Sequence, residues 1–136
     1  MKKPTLLKMN KHISYKLDQL FVEDVAVSEI TSNLRTPFYV YSRTSIKDNF
    51  DRFTRSLKGL DSIICYSVKA NSNLSVLETI AKLRGGADVV SLGEYHRALR
   101  AGIDKKRIVF SGVGKQDFEI AEALKLFENT SASIVG

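Results

Sequence analysis

The chain has 136 residues, of which 43% are hydrophobic and 26% are charged. This length suits one globular core, and the composition argues against disorder. The single cysteine, Cys65, argues against a disulfide framework and a cysteine-rich metal site. No run approaches about 18 apolar residues, so we expect a cytoplasmic protein with no membrane partner. The net charge of +6 is spread along the chain, and nucleic acid is therefore not expected as a partner.

The first 36 residues differ in character from the rest of the chain. Residues 12–17 alternate weakly between apolar and polar side chains, which predicts an exposed strand. Residues 27–34 predict a short helical turn. We interpret residues 1–36 as an N-terminal extension rather than a separate domain.

From Pro37 onward, short apolar segments alternate with segments of helical periodicity. The predicted strands cover residues 38–41, 63–68, 87–90 and 108–110, and the predicted helices cover residues 45–58, 74–83, 92–101 and 116–127, before a last apolar pair at 134–135. Repeated β/α units predict parallel strands joined by right-handed crossovers. No glycine fingerprint of a dinucleotide-binding fold follows the first strand, which favours a barrel over an open doubly wound sheet. A complete (β/α)8 barrel needs about 250 residues. Residues 37–136 therefore predict its incomplete N-terminal half.

Lys69 is the first candidate for chemistry, because it follows the β-branched and aromatic strand at residues 63–68. Side chains alternate along a strand, so Cys65, Ser67 and Lys69 are predicted to share one face, while Tyr66 lies on the other. A lysine that points inward at the end of a strand is poorly solvated, and its neutral amine can attack a carbonyl group. A solvated lysine that merely ends the strand is the alternative on local sequence alone.

Two acidic residues are further candidates. Asp88 lies inside an apolar strand, where an ionised carboxylate is costly unless it is paired, and we predict that it pairs near Lys69. Glu94 ends the sequence Ser-Leu-Gly-Glu at residues 91–94, which is a capping box of the S-x-x-E type. Glu94 can therefore cap a helix or contact the site, and the sequence leaves both alternatives open.

Four blocks of sequence carry a family resemblance. They are TPFYVYS at residues 36–42, YSVKAN at 66–71, ADVVSLGE at 87–94 and RIVFSG at 107–112. In order and spacing they resemble the barrel-type, pyridoxal-phosphate-dependent ornithine/diaminopimelate/arginine decarboxylases, and among these the diaminopimelate decarboxylases. The resemblance extends from about residue 12 to residue 127.

The resemblance implies a fold, a cofactor and a reaction. The fold is an α/β barrel of the alanine racemase type, and residues 1–36 belong to the region of the family's β domain. The cofactor is pyridoxal 5'-phosphate, with Lys69 as the Schiff-base lysine and Asp88 and Glu94 close to it. The substrate is an amino acid, and the reaction converts meso-diaminopimelate to L-lysine and carbon dioxide. Full-length members are expected to be homodimers.

The sequence also departs from the family. It lacks the glycine-rich phosphate loop, the Glu-Pro-Gly-Arg segment, the stacking histidine, the catalytic cysteine and the C-terminal β domain. We therefore expect the chain alone to be inactive, either as a truncated remnant or as half of a split enzyme that needs a separately encoded C-terminal half. Ornithine or arginine decarboxylases, which more often have cysteine at the position of Ala70, and alanine racemase are weaker alternatives.

Overall fold

The computed structural model describes residues 10–127 and 133–134. The chain divides into two compact units, residues 1–52 and residues 53–136. The predicted boundary between an extension and a barrel at residue 36 stays a prediction, because this division concerns compactness alone. Within the described ranges, no helix combines the length and the apolar character needed to cross a bilayer.

The first unit contains a small antiparallel sheet. Its strands are β1 (Ile13–Lys16), β2 (Gln19–Val22) and β3 (Val25–Ala26), in that spatial order, followed by helix α1 (Val27–Asn33). The structure confirms β1 and α1, whereas β2 and β3 were not predicted. Leu17 and Asp18 form the turn between β1 and β2 with φ angles of 47° and 62°. Two-residue hairpin turns need such positive angles, which are usually supplied by Asn-Gly or Asp-Gly, so this turn carried a weak sequence signal.

Helix α2 (Arg43–Ser56) begins in the first unit and confirms the helix predicted at residues 45–58. Its N-terminus is fixed by a buried hydroxyl and a carboxylate. The Ser42 hydroxyl accepts a hydrogen bond from the Ser45 N–H at 2.9 Å and donates one to the Glu23 carboxylate at 2.6 Å. The Thr44 N–H donates to the same carboxylate oxygen at 2.9 Å. A negative charge stabilises a helix N-terminus, so the contact of Glu23 with the start of α2 stabilises both the β2–β3 turn and the helix.

The strand predicted at residues 38–41 is not formed. These residues have no regular secondary structure, and the Tyr39 side chain is 90% exposed. β-Propensity reflects how well a side chain fits a half-buried pleated surface rather than an intrinsic backbone preference. In the described part of the chain this aromatic segment takes part in no strand ladder, and propensity alone does not make a strand.

The second unit is built on a four-stranded parallel sheet. Its strands, in spatial order, are β4 (Cys65–Ser67), β5 (Gly86–Val89), β6 (Ile108–Phe110) and β7 (Ser133–Ile134). The helices that follow the first three strands are α3 (Leu74–Lys82), α4 (Leu92–Arg100) and α5 (Asp117–Phe127). Consecutive strands are neighbours and every pair is parallel. The predicted β/α repeats from the lysine strand onward are confirmed.

The two faces of this sheet have different environments. One face is packed: Ala87, Val89, Ile108 and Phe110 are at most 1% exposed, and Tyr66 of the same face is half-buried. Helix α4 packs against β5 and β6 and contributes the buried side chains of Tyr95 and Ala98. The other face is only half-buried and carries Cys65, Ser67, Asp88, Val109 and Ser111. Functional groups are therefore found on the less covered face.

Gly86 allows strands β4 to β6 to approach closely at the N-terminal end of the sheet. A Cβ atom on Gly86 would lie 2.3 Å from the carbonyl oxygen of Arg107 and 2.8 Å from the sulfur of Cys65. The first distance is incompatible with a side chain, because a backbone oxygen cannot move away independently of its strand. Only glycine fits this position.

Candidate functional site

Lys69 lies directly after the edge strand β4. The strand ends at Ser67, and residues Val68–Ala70 form one turn of 3-10 helix in which Val68 is fully buried and Lys69 is exposed. Of the two alternatives that the local sequence left open, the exposed side chain agrees with a solvated lysine at the end of the strand. The inward direction assumed continued strand alternation, whereas the 3-10 turn changes the direction of the backbone. The amine is accessible to a ligand, and its role as the reactive lysine stays a prediction.

The backbone that follows this turn is held by side chains from two elements. The Tyr66 hydroxyl donates to the carbonyl oxygen of Asn71 at 3.3 Å, and the Arg97 Nε of α4 donates to the carbonyl oxygen of Ser72 at 2.8 Å. The Asn71 side chain accepts a hydrogen bond from the Asn73 N–H at 2.9 Å. Polar side chains that occupy backbone groups in this way order a loop, so the segment leading from the lysine into α3 has a defined path.

Asp88 is paired by hydroxyl groups. The Ser67 hydroxyl donates to its Oδ2 atom at 3.3 Å, and the Ser111 hydroxyl donates to its Oδ1 atom. The Cα atoms of Ser67 and Asp88 are partners in the β4–β5 ladder. Hydroxyl donors stabilise the ionised form of a carboxylate, which explains how an acid is tolerated inside this strand. The sequence predicted a partner for Asp88 but did not reveal the two serines.

Cys65 lies on the same face of the sheet. Burial raises the pKa of the Cys65 thiol, the Asp88 carboxylate raises it further, and the Arg107 guanidinium opposes the increase. A thiol whose pKa is raised remains protonated at neutral pH and is a weak nucleophile. Among the groups on this face, Cys65 is therefore not a candidate for covalent chemistry.

Glu94 caps helix α4. Its N–H donates to the Ser91 hydroxyl at 3.2 Å, and its carboxylate accepts a hydrogen bond from the Val90 N–H at 2.8 Å. The serine half of the predicted capping box is formed, whereas the Glu94 carboxylate binds the N–H of Val90, one residue before the N-cap Ser91. A contact between Glu94 and a cofactor stays a prediction.

Glu119 connects two helix N-termini at the same end of the sheet. Its carboxylate accepts hydrogen bonds from the Leu92 N–H of α4 at 3.4 Å and from the Gln116 N–H, which precedes α5, at 3.1 Å. The spacing of three residues between Gln116 and Glu119 was the only sequence signal for this contact. Glu119 thus fixes the loops that follow β5 and β6 relative to each other.

These residues place an exposed primary amine and a hydrogen-bonded carboxylate at the C-terminal edge of a parallel sheet. Ligands bind at this edge in β/α folds, because the loops that follow the strands surround it. An accessible amine such as Lys69 fits a cofactor that carries an aldehyde, since amines and carbonyl groups condense. The donor set of the site is compatible with pyridoxal phosphate at this point.

Comparison with known proteins gives the same assignment. The family model described as "Pyridoxal-dependent decarboxylase, pyridoxal binding domain" matches residues 43–130. Diaminopimelate decarboxylase of Helicobacter pylori is 55% identical over 98 residues, which cover 72% of this chain and 24% of the relative. The Vibrio cholerae enzyme of the same name is 45% identical over 116 residues, which cover 85% of this chain and 28% of the relative.

The fold is similar as well. The crystal structure of diaminopimelate decarboxylase from Helicobacter pylori complexed with L-lysine matches with a TM-score of 0.73 and 50% sequence identity, over 81% of this chain and 28% of that chain. The predicted fold class, part of the barrel of a pyridoxal-phosphate-dependent decarboxylase, is confirmed. This chain spans only about a quarter of the length of these relatives. Because the family model matches residues 43–130, the chain belongs to the pyridoxal-dependent decarboxylase family.

Proposed function

We propose that this chain is the lysine-bearing part of a pyridoxal-phosphate-dependent diaminopimelate decarboxylase, which converts meso-diaminopimelate to L-lysine and carbon dioxide. The observation that carries the proposal is the position of Lys69, an exposed amine directly after a parallel strand at the ligand-binding edge of a β/α sheet. The names of the similar proteins support the substrate, as does the L-lysine bound to one of them.

Each site residue has a proposed task. Lys69 would hold the cofactor covalently through its ε-amine. When bound, pyridoxal phosphate supplies a conjugated ring that accepts the electron pair left behind as carbon dioxide departs. Asp88 would place a fixed negative charge at the edge of the sheet near the lysine. Glu94 would act through the first turn of α4, because its carboxylate already accepts a hydrogen bond from Val90.

The proposed partners complete the sheet and the site. A parallel sheet is normally covered on both faces, whereas the face that carries Ser67 and Asp88 is only half-buried. Further β/α units would cover this face. They would belong to a full-length enzyme, which would form a homodimer, or to a separately encoded C-terminal half. Light scattering of the chain, alone and co-expressed with the C-terminal part of a relative, measures which assembly forms. We place the protein in the cytoplasm, where a free thiol such as Cys65 persists.

The cofactor assignment is tested by reductive trapping. Purified chain is mixed with pyridoxal phosphate and borohydride, and the modified peptide is identified by mass spectrometry. We expect the adduct on Lys69, its loss in Lys69→Ala, and its retention in the matched control Lys82→Ala, which removes an exposed lysine from the last turn of α3. If the wild-type chain gives no stable adduct, or if Lys69→Ala is labelled equally well, the proposal is wrong for this chain.

A further inference from the structure

The turn that carries Lys69 is closed by two hydrogen bonds. The Asn71 N–H donates to the Val68 carbonyl oxygen at 3.1 Å, and the Tyr66 hydroxyl donates to the Asn71 carbonyl oxygen at 3.3 Å. Both bonds join a residue before Lys69 to a residue after it. Because Val68 is fully buried, the backbone around Lys69 is anchored at the end of β4.

Arg97 supplies a second anchor from a different element. Its Nε atom donates to the carbonyl oxygen of Ser72 at 2.8 Å, across 25 positions of the sequence. Arg97 belongs to α4, which contributes the buried side chains of Tyr95 and Ala98 to the core. A hydrogen bond from a charged donor is shorter and stronger than one between neutral groups. The loop that leaves the lysine turn is therefore fixed to a helix whose own position is set by the core.

The location of the Lys69 amine depends on these anchors. The side chain is exposed, and among the described residues no hydrogen bond or ion pair holds the ε-amine. A lysine side chain is a flexible four-carbon stem, so the backbone of the turn sets where the amine can reach. A displacement of about 1 Å at a reacting group can cost about a hundredfold in rate. A molecule joined to this amine would be displaced together with the turn.

We propose that Arg97 is a positioning residue, assisted by Tyr66, which fixes the turn of Lys69 so that a molecule joined to the amine is held in one orientation. The inference rests on the proposed function, since it takes Lys69 as the residue that holds pyridoxal phosphate. Arg97 acts through the Ser72 carbonyl oxygen and needs no contact with cofactor or substrate. The N–H donor at Nε carries the effect, rather than the positive charge.

The first measurement needs no cofactor and uses two variants of matched size. Arg97→Met removes the donor, whereas Arg97→Gln restores an N–H at the same number of bonds from the backbone. Both variants lack the charge, and both residue types favour helices. We expect Arg97→Met to speed the amide hydrogen exchange of Asn71, followed by NMR, about fivefold, which is the change in equilibrium expected from one hydrogen bond. Arg97→Gln should stay near the wild type, and Tyr66→Phe should also speed the exchange.

The second measurement follows the cofactor. Pyridoxal phosphate is not chiral, and it gains circular dichroism in its own absorption band only where a protein holds it in a fixed, asymmetric environment. We expect Arg97→Met to keep the borohydride-trapped adduct on Lys69 but to lose this signal per adduct. Arg97→Gln should keep both. A merely structural role would lower the free energy of unfolding without separating the signal from the adduct.

The control is Arg100→Met, which removes an exposed arginine from the last turn of the same helix and should change neither measurement. Unchanged exchange in Arg97→Met, or a cofactor signal per adduct equal to that of the wild type, overturns the inference and leaves the proposed function intact. If Arg97→Met does not fold, Tyr66→Phe, which keeps its ring, decides the inference in the same two measurements. If the wild-type chain itself forms no adduct on Lys69, the proposed function fails and the inference fails with it.

Discussion

Residues 53–136 contain all the buried apolar side chains of the described structure, from Val68 to Ala123, whereas in residues 10–52 the only buried side chain is that of Ser42. The second unit is thus stabilised by removing apolar surface from water. The first unit depends more on hydrogen bonds and charges. Two neighbouring parts of one chain therefore respond to different perturbations.

Two carboxylates of the first unit have lowered pKa values. Hydrogen bonds from Ser42 and then Thr44 lower the pKa of Glu23. Lys11 and then His12 lower the pKa of Asp48 to about 2, and both nitrogen atoms lie 2.7 Å from the same Asp48 oxygen. Neither contact stabilises the fold once its carboxylate is protonated, so the first unit is predicted to be the more sensitive to acid.

The largest effect is expected for Phe110→Ala, which empties a fully buried position in β6. Loss of this ring should lower the free energy of unfolding by about 3–5 kcal/mol, measured by urea denaturation. The matched control is Phe118→Ala in α5, whose side chain is 61% exposed, and its cost should stay within about 0.5 kcal/mol. Equal costs for the two variants would contradict the placement of the core.

A smaller effect is expected for Ser42→Ala, which removes the hydroxyl that caps α2 and contacts Glu23. Loss of a capping hydroxyl costs about 1 kcal/mol. Two-dimensional NMR of amide groups should show the changes in residues 10–52, while the signals of the parallel sheet stay in place. Ser28→Ala, at an exposed position of α1, serves as the control, and a similar loss there would argue against the capping role.

The smallest effect is expected for the pH dependence of stability, which should differ between the two units. Because the pKa of Asp48 is lowered from 3.8 to about 2 in the fold, its contribution is fully present above about pH 4 and disappears as the pH falls toward 2. In an acid titration followed by NMR, amides of the first unit should lose their native shifts before those of the sheet. Asp48→Asn should remove this part of the pH dependence, whereas Asp24→Asn, at a side chain that is 99% exposed, should not.

Much of the second unit could be predicted from sequence. The helices from Leu74 and Leu92, and the strands that precede them, have clear periodicity and clear caps, since Asn73 and Ser91 each accept a hydrogen bond from the first turn of the helix they precede. The family blocks pointed to Lys69. The local sequence was enough to predict these elements, because the residues that begin and end each element are adjacent to it in the sequence.

The remaining features depend on distant partners. The contact between Ser111 and Asp88 joins residues 23 positions apart and follows from the ladder register. The β1–β2 hairpin turns at Leu17, a residue type rarely found at positive φ. The exposure of Lys69 follows from a single 3-10 turn. The sequence of a short apolar strand does not indicate where such a turn begins.

The close approach at Gly86 also bears on how this protein can be studied. Cys65 is the only cysteine in the chain, and half-buried thiols are often chosen for attaching fluorophores or spin labels. Here a Cβ atom on Gly86 would lie 2.8 Å from the sulfur, and the raised pKa keeps the thiol protonated at neutral pH. Cys65 would therefore react slowly with a thiol-directed probe. Labels should instead be introduced at an exposed position such as Ser62, with Cys65 left unmodified.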